Sequence, residues 1–347
     1  MNYLRNAWYA AAFDHEVTTS PLARTLLDLP VVFFRDRAGN PVALQDRCPH
    51  RFAPLSRGKV IEGVIQCPYH GLRFGAAGAC VHNPHGPIPK AAQVESYPLL
   101  ERYGLVWIWM GQLNAVDASK LPEFKVIADH ENFAVVKGYL HLNVNYELVT
   151  DNLLDLSHAQ FLHPMLGNAD SNERNRFQMK QEGHTVWAYN DMPGEPLTKL
   201  FQMMWRSPTL VGDRRAHMRW DPPSNLLLDV GFTECGRPVS EGPSMPSAHL
   251  LTPETAGSTH YFWAAARDSL RDDAALSEKI RAGIDAAFRL EDDPMITACR
   301  SRMGTDDLMS LKPIFLRTDA AAGLARRTLS GLIAKEQEAS RAETLPQ

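Results

Sequence analysis

The sequence predicts an α+β fold in two domains, on three observations. The length of 347 residues corresponds to about two domains. The first hundred or so residues are rich in short strand-like runs separated by Pro and Gly. Later residues mix strand-like runs with long helical patterns. Because the chain turns polar and small at 111–122, we expect an N-terminal domain at 1–115 and a second domain at 116–347.

Strand signals in the first part are short apolar runs bounded by turn residues. Residues 31–34 form such a run, turn residues fill 35–40, and a second run at 42–44 lies at hairpin distance. Residues 105–110 form a third, buried strand candidate that Gly111 closes. The segments between these runs are rich in Pro and Gly, so we expect loops held between strands.

The second part combines helices with strands. Residues 145–161 are expected to form one helix and residues 276–300 a long helix, since apolar residues recur there at helical spacing. A further amphipathic stretch at 320–338 continues into a charged end. Strand character is predicted for 133–144, 185–189, 225–233 and 260–266.

Composition excludes several classes of protein. With 44% apolar and 22% charged residues, the chain is ordinary globular material and not a disordered one. A net charge of −4 offers no basic surface for nucleic acid or for a membrane. No apolar run approaches the ~18 residues of a membrane span, and the start lacks a signal-peptide pattern. Five Cys are too few for a disulfide scaffold, so we expect a cytoplasmic protein in which Cys beside His indicates a metal.

Two loops each offer one thiolate and one imidazole. The sequence reads Cys48-Pro-His50, then sixteen residues, then Cys67-Pro-Tyr-His70. A Rieske [2Fe–2S] cluster requires this set, because two Cys hold one iron and two His hold the other. A Cys2His2 zinc site is the alternative, although zinc fingers usually pair Cys with Cys and His with His. Four unrelated residues are a third possibility, which the spacing disfavours.

A second group of metal-binding residue types lies in the later part. His158 and His163 are five residues apart, about 140° around a regular helix. They share a metal only if the helix ends between them, and Pro164 favours this because a residue before proline avoids the α region. Two His and one carboxylate form the facial triad of non-haem Fe(II) oxygenases. The acidic cluster 291–293 is the best source of the carboxylate, unless it is a solvated helix cap before Pro294.

A polar face accompanies the two His residues. On the predicted helix, Asp151, Asp155 and His158 fall at i, i+4 and i+7 and therefore share one face. Carboxylates and His on an otherwise apolar helix are costly unless they meet solvent, partners or a metal. The face is therefore expected to meet solvent, a partner or a metal.

These motifs resemble those of the oxygenase (α) components of Rieske non-haem iron aromatic-ring oxygenases, and the similarity covers nearly the whole chain. Phe52 departs from the commonest form of the motif, in which a Gly follows the Arg. The segments that carry the resemblance are 48–51 (CPHR), 67–71 (CPYHG), 152–158 (NLLDLSH) with His163, and 291–294 (EDDP).

The resemblance implies a fold and a set of site residues. The expected fold is an N-terminal Rieske β-domain followed by a helix-grip catalytic domain, an antiparallel sheet plus a long helix. It implies that Asp292, rather than Asp293, completes the mononuclear Fe(II) site with the two His residues. It also assigns Asp155 a catalytic bridging role: its carboxylate hydrogen-bonds an iron-ligand His and links to a cluster His of the neighbouring subunit in a homotrimer.

The resemblance further implies an activity. A separate flavin and iron–sulfur reductase would carry electrons from NADH to the cluster, since the chain has no G-x-G-x-x-G fingerprint of its own. Mononuclear iron would then use O2 to hydroxylate a methyl or O-methyl group of a small aromatic acid. Within the family the chain is most similar to the toluenesulfonate methyl-monooxygenase branch, with vanillate and dicamba O-demethylases close behind. The alternative from another class is a non-catalytic Rieske electron-transfer protein.

Several residues are not expected to belong to the site. Cys80, Cys235 and Cys299 have no ligand partner at motif spacing and are expected to be buried thiols. His249 is expected to be a satisfied core or surface residue, although it lies where a pocket could be lined. Arg214–Arg215 could attract an anionic substrate, but a solvated charge pair is the favoured interpretation.

Overall fold

The computed structural model describes residues 3–168, 170–205 and 211–344. The chain forms two compact units. The first unit consists of Met1–Leu121 together with Thr252–Ala256, and the second of Pro122–Leu251 with Gly257–Gln347. Among the described residues, no helix combines the length and the apolar character that crossing a membrane requires.

The first unit is built from small antiparallel sheets. The strands are β1 (Trp8–Phe13), β2 (Leu22–Leu26), β3 (Leu29–Arg35), β4 (Pro41–Gln45), β5 (Lys59–Ile61), β6 (Val64–Gln66), β7 (Arg73–Phe74), β8 (Cys80–His82), β9 (Ser96–Tyr97), β10 (Leu99–Arg102) and β11 (Leu105–Trp109). The sheets have the strand orders β1-β11-β10, β2-β3-β4-β9 and β5-β6-β7-β8.

The predicted strands of this unit are confirmed. The apolar runs at 31–34 and 42–44 lie in β3 and β4, and the run at 105–110 lies in β11 up to Trp109. Every residue of β11 is buried, which is why it reads as a continuous apolar run and not as an alternating one. Side chains of β3 and β4 pack in one core cluster with Cys48 and Cys67, so the core supports the loops that carry these thiols.

The second unit contains a 7-stranded antiparallel sheet. The strands of this sheet are β12 (Ala134–Leu142), β13 (Arg176–Glu182), β14 (Thr185–Pro196), β15 (Val211–Asp221), β16 (Asn225–Thr233), β17 (Ser247–Thr255) and β18 (Ser258–Arg267). They lie in the order β12-β18-β17-β16-β15-β14-β13. Along β15 the buried Arg214, Ala216 and Met218 alternate with half-buried residues, so one face of this strand points inward.

Helices accompany this sheet. The α-helices are α1 (Tyr146–Leu154), α2 (Ala159–Leu162), α3 (Ser171–Arg174), α4 (Lys199–Met204), α5 (Ala274–Ala286), α6 (Asp293–Met303) and α7 (Ala320–Thr344), and a π-helix spans Ala287–Asp292. Short 3₁₀ helices lie at Asp14–Glu16, Leu55–Arg57, Leu113–Ala115, Ala118–Lys120, Lys125–Ile127, Leu156–His158, Val239–Glu241, Leu308–Leu311 and Arg317–Asp319.

The prediction of one helix over 145–161 is wrong. Helix α1 ends at Leu154, and Asp155 has extended backbone angles (φ −108°, ψ 90°) before a 3₁₀ turn begins. Asp155 therefore does not share a regular helical face with Asp151 and His158. The physical reason lies in the Asp155 side chain, which accepts a hydrogen bond from the Ser157 main-chain N–H and so competes with the helix.

The prediction of a long helix over 276–300 is confirmed in place, with an irregularity that the pattern does not show. Helices α5 and α6 are joined without a break by the π-helix Ala287–Asp292. Asp293 has helical angles (φ −57°, ψ −47°), so the alternative of a helix cap before Pro294 is wrong. Wide π turns are frequent at functional sites, and Asp292 occupies the last position of this one.

Candidate metal centres and substrate cavity

The two loops that carry the Cys-x-His and Cys-x-x-His motifs have the same main-chain hydrogen bonds. The N–H of Cys48 donates to the oxygen five residues on (2.9 Å), and its oxygen accepts from the N–H four residues on (2.9 Å). Cys67 repeats this pattern, with distances of 2.8 and 3.2 Å. Both loops thus present a Cys and a His side chain from a closed turn.

The fourth residue after each Cys has a left-handed backbone conformation. Gly71 has φ +74°, and Phe52, its equivalent in the other loop, has φ +59°. This angle explains the common Gly at the position of Phe52, because a side chain is strained there. The Phe52 ring is 62% exposed and lies under the guanidinium of Arg47, 4.0 Å from the ring centroid.

The four side chains of these loops meet as pairs. The Cys48 and Cys67 thiols are buried, form no disulfide and contact each other. Burial raises the pKa of the Cys48 thiol to about 11, so a thiolate there needs a positive partner such as iron. The His50 and His70 rings lie with centroids 4.4 Å apart. Within the described chain, the buried Nδ1 of His70 has no hydrogen-bond partner, so these donors fit a Rieske cluster.

His158, His163 and Asp292 lie at the corners of a small triangle. The two Nε2 atoms are 3.2 Å apart, and Asp292 Oδ1 is 3.5 Å from His158 Nε2 and 3.3 Å from His163 Nε2. Ligands bound at about 2.1 Å and at right angles are about 3 Å apart. The three side chains could therefore hold one metal ion, as the facial triad of non-haem Fe(II) oxygenases does.

Local structure brings this triangle together. His163 follows the last residue of α2 with extended backbone angles (φ −113°, ψ 94°), as Pro164 predicts. This turn brings its ring toward His158, while the π-helix supplies Asp292. His163 and Asp292 are 4% and 3% exposed. A buried carboxylate next to two imidazoles is costly without a compensating charge, which supports a metal site.

Each of the three residues has a second hydrogen-bond partner that orients it. His163 Nδ1 pairs with Glu291 Oε2 (2.7 Å), and His158 Nδ1 with the main-chain oxygen of Asp155 (2.5 Å). Asn152 Nδ2 donates to Asp292 Oδ1 (3.0 Å). These bonds place the proton of each ring on Nδ1 and leave Nε2 free for a metal. Sequence reasoning missed the roles of Glu291 and Asn152, although both lie inside the motif segments.

The pKa values of the two imidazoles shift in opposite directions. Burial lowers the pKa of His158, and Asp292 offsets this only in part. Burial also lowers the pKa of His163, but the nearby carboxylates of Asp292 and Glu291 outweigh it, so its pKa is raised overall. His163 is thus the more basic of the two rings.

Asp155 contacts His158 in a different way from the one expected. Its main-chain oxygen, and not its carboxylate, accepts the His158 Nδ1 hydrogen bond. The carboxylate accepts from the Ser157 N–H (3.0 Å) and from the Thr318 hydroxyl (3.3 Å). The expectation that the carboxylate orients the ring is therefore corrected, because the extended backbone of Asp155 turns its carbonyl toward the ring.

A cavity lies beside the triangle. Most of its wall is aliphatic and aromatic, and a smaller part is polar. His158, His163 and Asp292 line it, so a molecule in the cavity would lie next to the metal position. Apolar residues of the wall include Leu156, Leu200, Phe201, Met218, Leu228, Val230, Ile284 and Phe288.

His249 also lines this cavity, and its environment differs from the expected satisfied one. Its Nδ1 pairs with the Tyr261 hydroxyl (2.7 Å). Its buried Nε2 has no hydrogen-bond partner in the part of the chain that the structure describes. Burial lowers the pKa of His249 to about 4, so the ring is neutral at pH 7.

Other predictions made for residues outside the site need correction. Arg214 is not a solvated charge: it lines the cavity, is buried, and pairs through Nε with Glu195 Oε2 at 2.5 Å. Cys80 is buried as expected, but Cys235 and Cys299 are exposed, so the prediction of buried thiols is wrong for these two.

The fold and the paired donor sets define a Rieske non-haem iron oxygenase. The sequence model of the Rieske [2Fe-2S] domain matches residues 7–98, and that of the vanillate O-demethylase oxygenase C-terminal domain matches residues 142–335. The chain therefore belongs to the Rieske non-haem iron oxygenases and is a monooxygenase of that family. It uses a Rieske cluster and a mononuclear iron, and the expected order of a Rieske domain and a sheet-and-helix catalytic domain is confirmed.

Particular relatives cover almost the whole chain. The oxygenase component of chloroacetanilide N-alkylformylase from Rhizorhabdus wittichii is 39% identical over 96% of this chain and 97% of the relative. The iron-sulfur subunit of the toluene-4-sulfonate monooxygenase system from Comamonas testosteroni is 37% identical over 85% and 88%. The crystal structure of dicamba monooxygenase with non-heme iron and dicamba has a TM-score of 0.86 at 34% identity, covering 98% and 100%.

Proposed function

We propose that this chain is the oxygenase component of a multicomponent monooxygenase that hydroxylates a methyl or O-methyl group of a small aromatic acid. The observation that carries the proposal is the triangle of His158, His163 and Asp292 in the wall of a largely apolar cavity. Such a cavity suits an aromatic ring and excludes water from the metal. The names of the relatives, which refer to toluene-4-sulfonate, vanillate and dicamba, support this substrate class.

The proposed ligands follow from the two donor sets. Cys48 and Cys67 would hold one iron of the cluster, and His50 and His70 the other. The mononuclear iron, held by the facial triad, supplies O2 activation when bound. The protein residues around it have definite tasks. Glu291, Asn152 and the Asp155 carbonyl hold the ligands in orientation, and the apolar wall holds the substrate and keeps water away.

The polar groups of the cavity would recognise the acid group of the substrate. His249 is neutral and has one ring nitrogen satisfied by Tyr261, so the other is available to pair with a polar substituent. A single directional contact in an apolar cavity fixes which substituent lies next to the metal. Methyl hydroxylation of 4-toluenesulfonate is the first candidate reaction. O-demethylation of the vanillate type is the second, supported by the match of residues 142–335.

The assembly and the electron supply are also part of the proposal. We infer a homotrimer, in which residues 1–115 act as the electron carrier and residues 116–347 as the catalytic domain. The carboxylate of Asp155 would link the mononuclear site of one subunit to a cluster His of the next. A separate flavin and iron–sulfur reductase would bring electrons from NADH. We place the protein in the cytoplasm, in keeping with its low Cys content.

Metal counting and product analysis test this proposal. The enzyme is expected to hold about three irons per chain, two in the cluster and one mononuclear. Two irons per chain, with no turnover, would instead indicate a non-catalytic electron-transfer protein. Incubation with reductase, NADH and a panel of methyl-, methoxy- and sulfo-substituted arenes identifies the substrate. Consumption of no member of the panel by the three-iron enzyme would contradict the substrate class.

A further inference from the structure

The C-terminal part of the chain contacts the segment that carries the proposed iron ligands. The Thr318 hydroxyl donates to Asp155 Oδ2 at 3.3 Å. Arg326 of α7 contacts two carboxylates of α1, Glu147 and Asp151. Residues far apart in sequence thus meet directly upstream of His158.

Arg326 is held by an unusually full set of hydrogen bonds. Its Nε and Nη2 donate to the Asp151 carboxylate at 2.9, 3.0 and 2.7 Å, and its Nη1 donates to Glu147 Oε2 at 2.9 Å. The guanidinium side chain is 9% exposed. A planar guanidinium that binds one carboxylate with two nitrogens and a second carboxylate with the third fixes both in place.

Asp151, which binds Arg326 through its carboxylate, also begins a short chain of main-chain contacts that ends at His158. The N–H of Asp155 donates to the main-chain oxygen of Asp151 at 3.1 Å. The main-chain oxygen of Asp155 pairs with His158 Nδ1 at 2.5 Å. The orientation of the His158 ring therefore depends on the main chain at Asp155. The side chains at the two ends of this main-chain contact are both held: the Asp151 carboxylate binds Arg326, and the Asp155 carboxylate binds Thr318.

We propose that Arg326 and Thr318 are positioning residues of the mononuclear metal site. By holding the Asp151 and Asp155 carboxylates, they fix the carbonyl that orients His158. The inference rests on the proposed ligand set. Loss of an outer partner of a metal ligand typically weakens metal binding by about 10–100-fold. We therefore expect the C-terminal contacts to act on metal affinity, although neither residue touches the metal position.

Metal affinity, measured without turnover, tests this inference. Protein with an intact cluster and no mononuclear metal is titrated anaerobically with Co²⁺ by calorimetry. Thr318→Val, which nearly preserves shape, is expected to raise the Kd for the metal about tenfold, and Arg326→Lys at least as much. Thr318→Ser keeps the hydroxyl and is expected to bind within about twofold of the wild type.

Two matched controls separate positioning from general stability. Thr185 also donates its hydroxyl to a carboxylate, Asp221 Oδ1 at 2.7 Å, and Arg215 also pairs with one carboxylate through two nitrogens, Asp229 at 2.9 and 3.0 Å. Thr185→Val and Arg215→Lys are expected to leave the Kd for the metal within about twofold of the wild-type value. Denaturant unfolding of the metal-free proteins measures any loss of stability.

The outcomes distinguish the inference from the function on which it rests. Wild-type metal affinity in Thr318→Val and Arg326→Lys, with binding lost in His158→Ala, would overturn the inference alone. Equal weakening in the controls would also overturn it, because the effect would then be general destabilisation. Unchanged metal stoichiometry in His158→Ala would overturn the proposed ligand set itself.

Discussion

Residues 48–70 contain all four proposed cluster ligands, whereas the proposed ligands of the mononuclear site are two residues from 158–163 and the distant Asp292. Each cluster loop is closed by its own main-chain hydrogen bonds. The mononuclear triangle depends instead on an interrupted helix, a π turn and partners from distant segments. The two sites therefore differ in what can break them. A change at the first acts through the ligand loops, and a change at the second acts through tertiary packing.

The largest expected effect is at the cluster loops. Cys67→Ser is expected to abolish cluster assembly, because serine is a poor ligand for cluster iron. The mononuclear site should still bind one metal ion, since it draws no residue from 48–70. Visible and electron paramagnetic resonance spectra, with metal analysis, measure both. A wild-type cluster spectrum in the variant would contradict the cluster assignment, and loss of both metals would show that the two sites are not independent.

The next effect is at the mononuclear site. Asp292→Ala is expected to remove mononuclear iron and turnover while the cluster spectrum is unchanged. Asp293→Ala is the matched control, because Asp293 is the adjacent carboxylate and accepts its hydrogen bond from the exposed Thr297 at 3.2 Å. It is expected to change the free energy of unfolding by no more than about 0.5 kcal/mol. Iron loss in Asp293→Ala with iron retained in Asp292→Ala would show that the ligand choice is wrong.

Asp155 tests whether the two sites communicate. Asp155→Asn keeps the main-chain carbonyl that holds His158, so both metals should load and substrate should bind. We expect its reduced cluster to reoxidise at least about tenfold more slowly with O2 and substrate, because the carboxylate that we propose as the link between subunits has lost its charge. Rapid mixing measures this rate. A wild-type rate would leave Asp155 as a structural residue only.

Acidification is expected to lower the stability of the protein through His249 in the cavity wall. The pKa of His249 is about 4 in the fold, against about 6.5 in an unfolded chain. Below pH 6.5 the unfolded state takes up this proton first. The stabilising contribution is therefore complete above pH 6.5 and is lost as the pH falls toward 4. At pH 5 the loss is about 2 kcal/mol.

Denaturant unfolding at pH 7 and pH 5 checks this prediction. His249→Phe removes the titrating group and keeps an aromatic ring, so its free energy of unfolding should fall about 2 kcal/mol less than that of the wild type over this range. Equal pH dependence in both proteins would show that His249 is solvated or charged in the fold.

The smallest expected effects are on stability, at the equivalent positions of the two cluster loops. Gly71→Ala is expected to cost about 1 kcal/mol of stability, because φ is +74° there and an added Cβ would lie 3.2 Å from Pro84 Cγ. Phe52→Gly relieves similar strain but loses the contact with Arg47, so a change below about 1 kcal/mol is expected. Thermal unfolding measures both. A larger cost in Phe52→Gly than in Gly71→Ala would mean that the stacked ring, and not the backbone, holds the first loop.

Many strands of the fold could be predicted from local patterns of apolar residues in the sequence. Buried strands such as β3 and β11 are continuous apolar runs, and β16 occupies the predicted range 225–233. The missed strands β13 and β15 carry many charged side chains on their outer faces, so their apolar pattern is weak. Strand β17 is also absent from the prediction, although most of its residues are buried.

By itself, the sequence determined the two donor sets: a mixed Cys and His pair in each of two loops, and two His residues separated by a helix end that Pro164 signals. These are properties of neighbouring residues, and backbone sterics and ligand chemistry act on them locally.

Only the tertiary structure decided that Asp292 completes the triangle and that the main chain of Asp155 holds His158. The same is true of Arg326, which reaches Asp151 from α7. The physical reason is that these contacts join segments far apart in the chain. Packing of the whole unit sets their distances, and no spacing in the sequence encodes them.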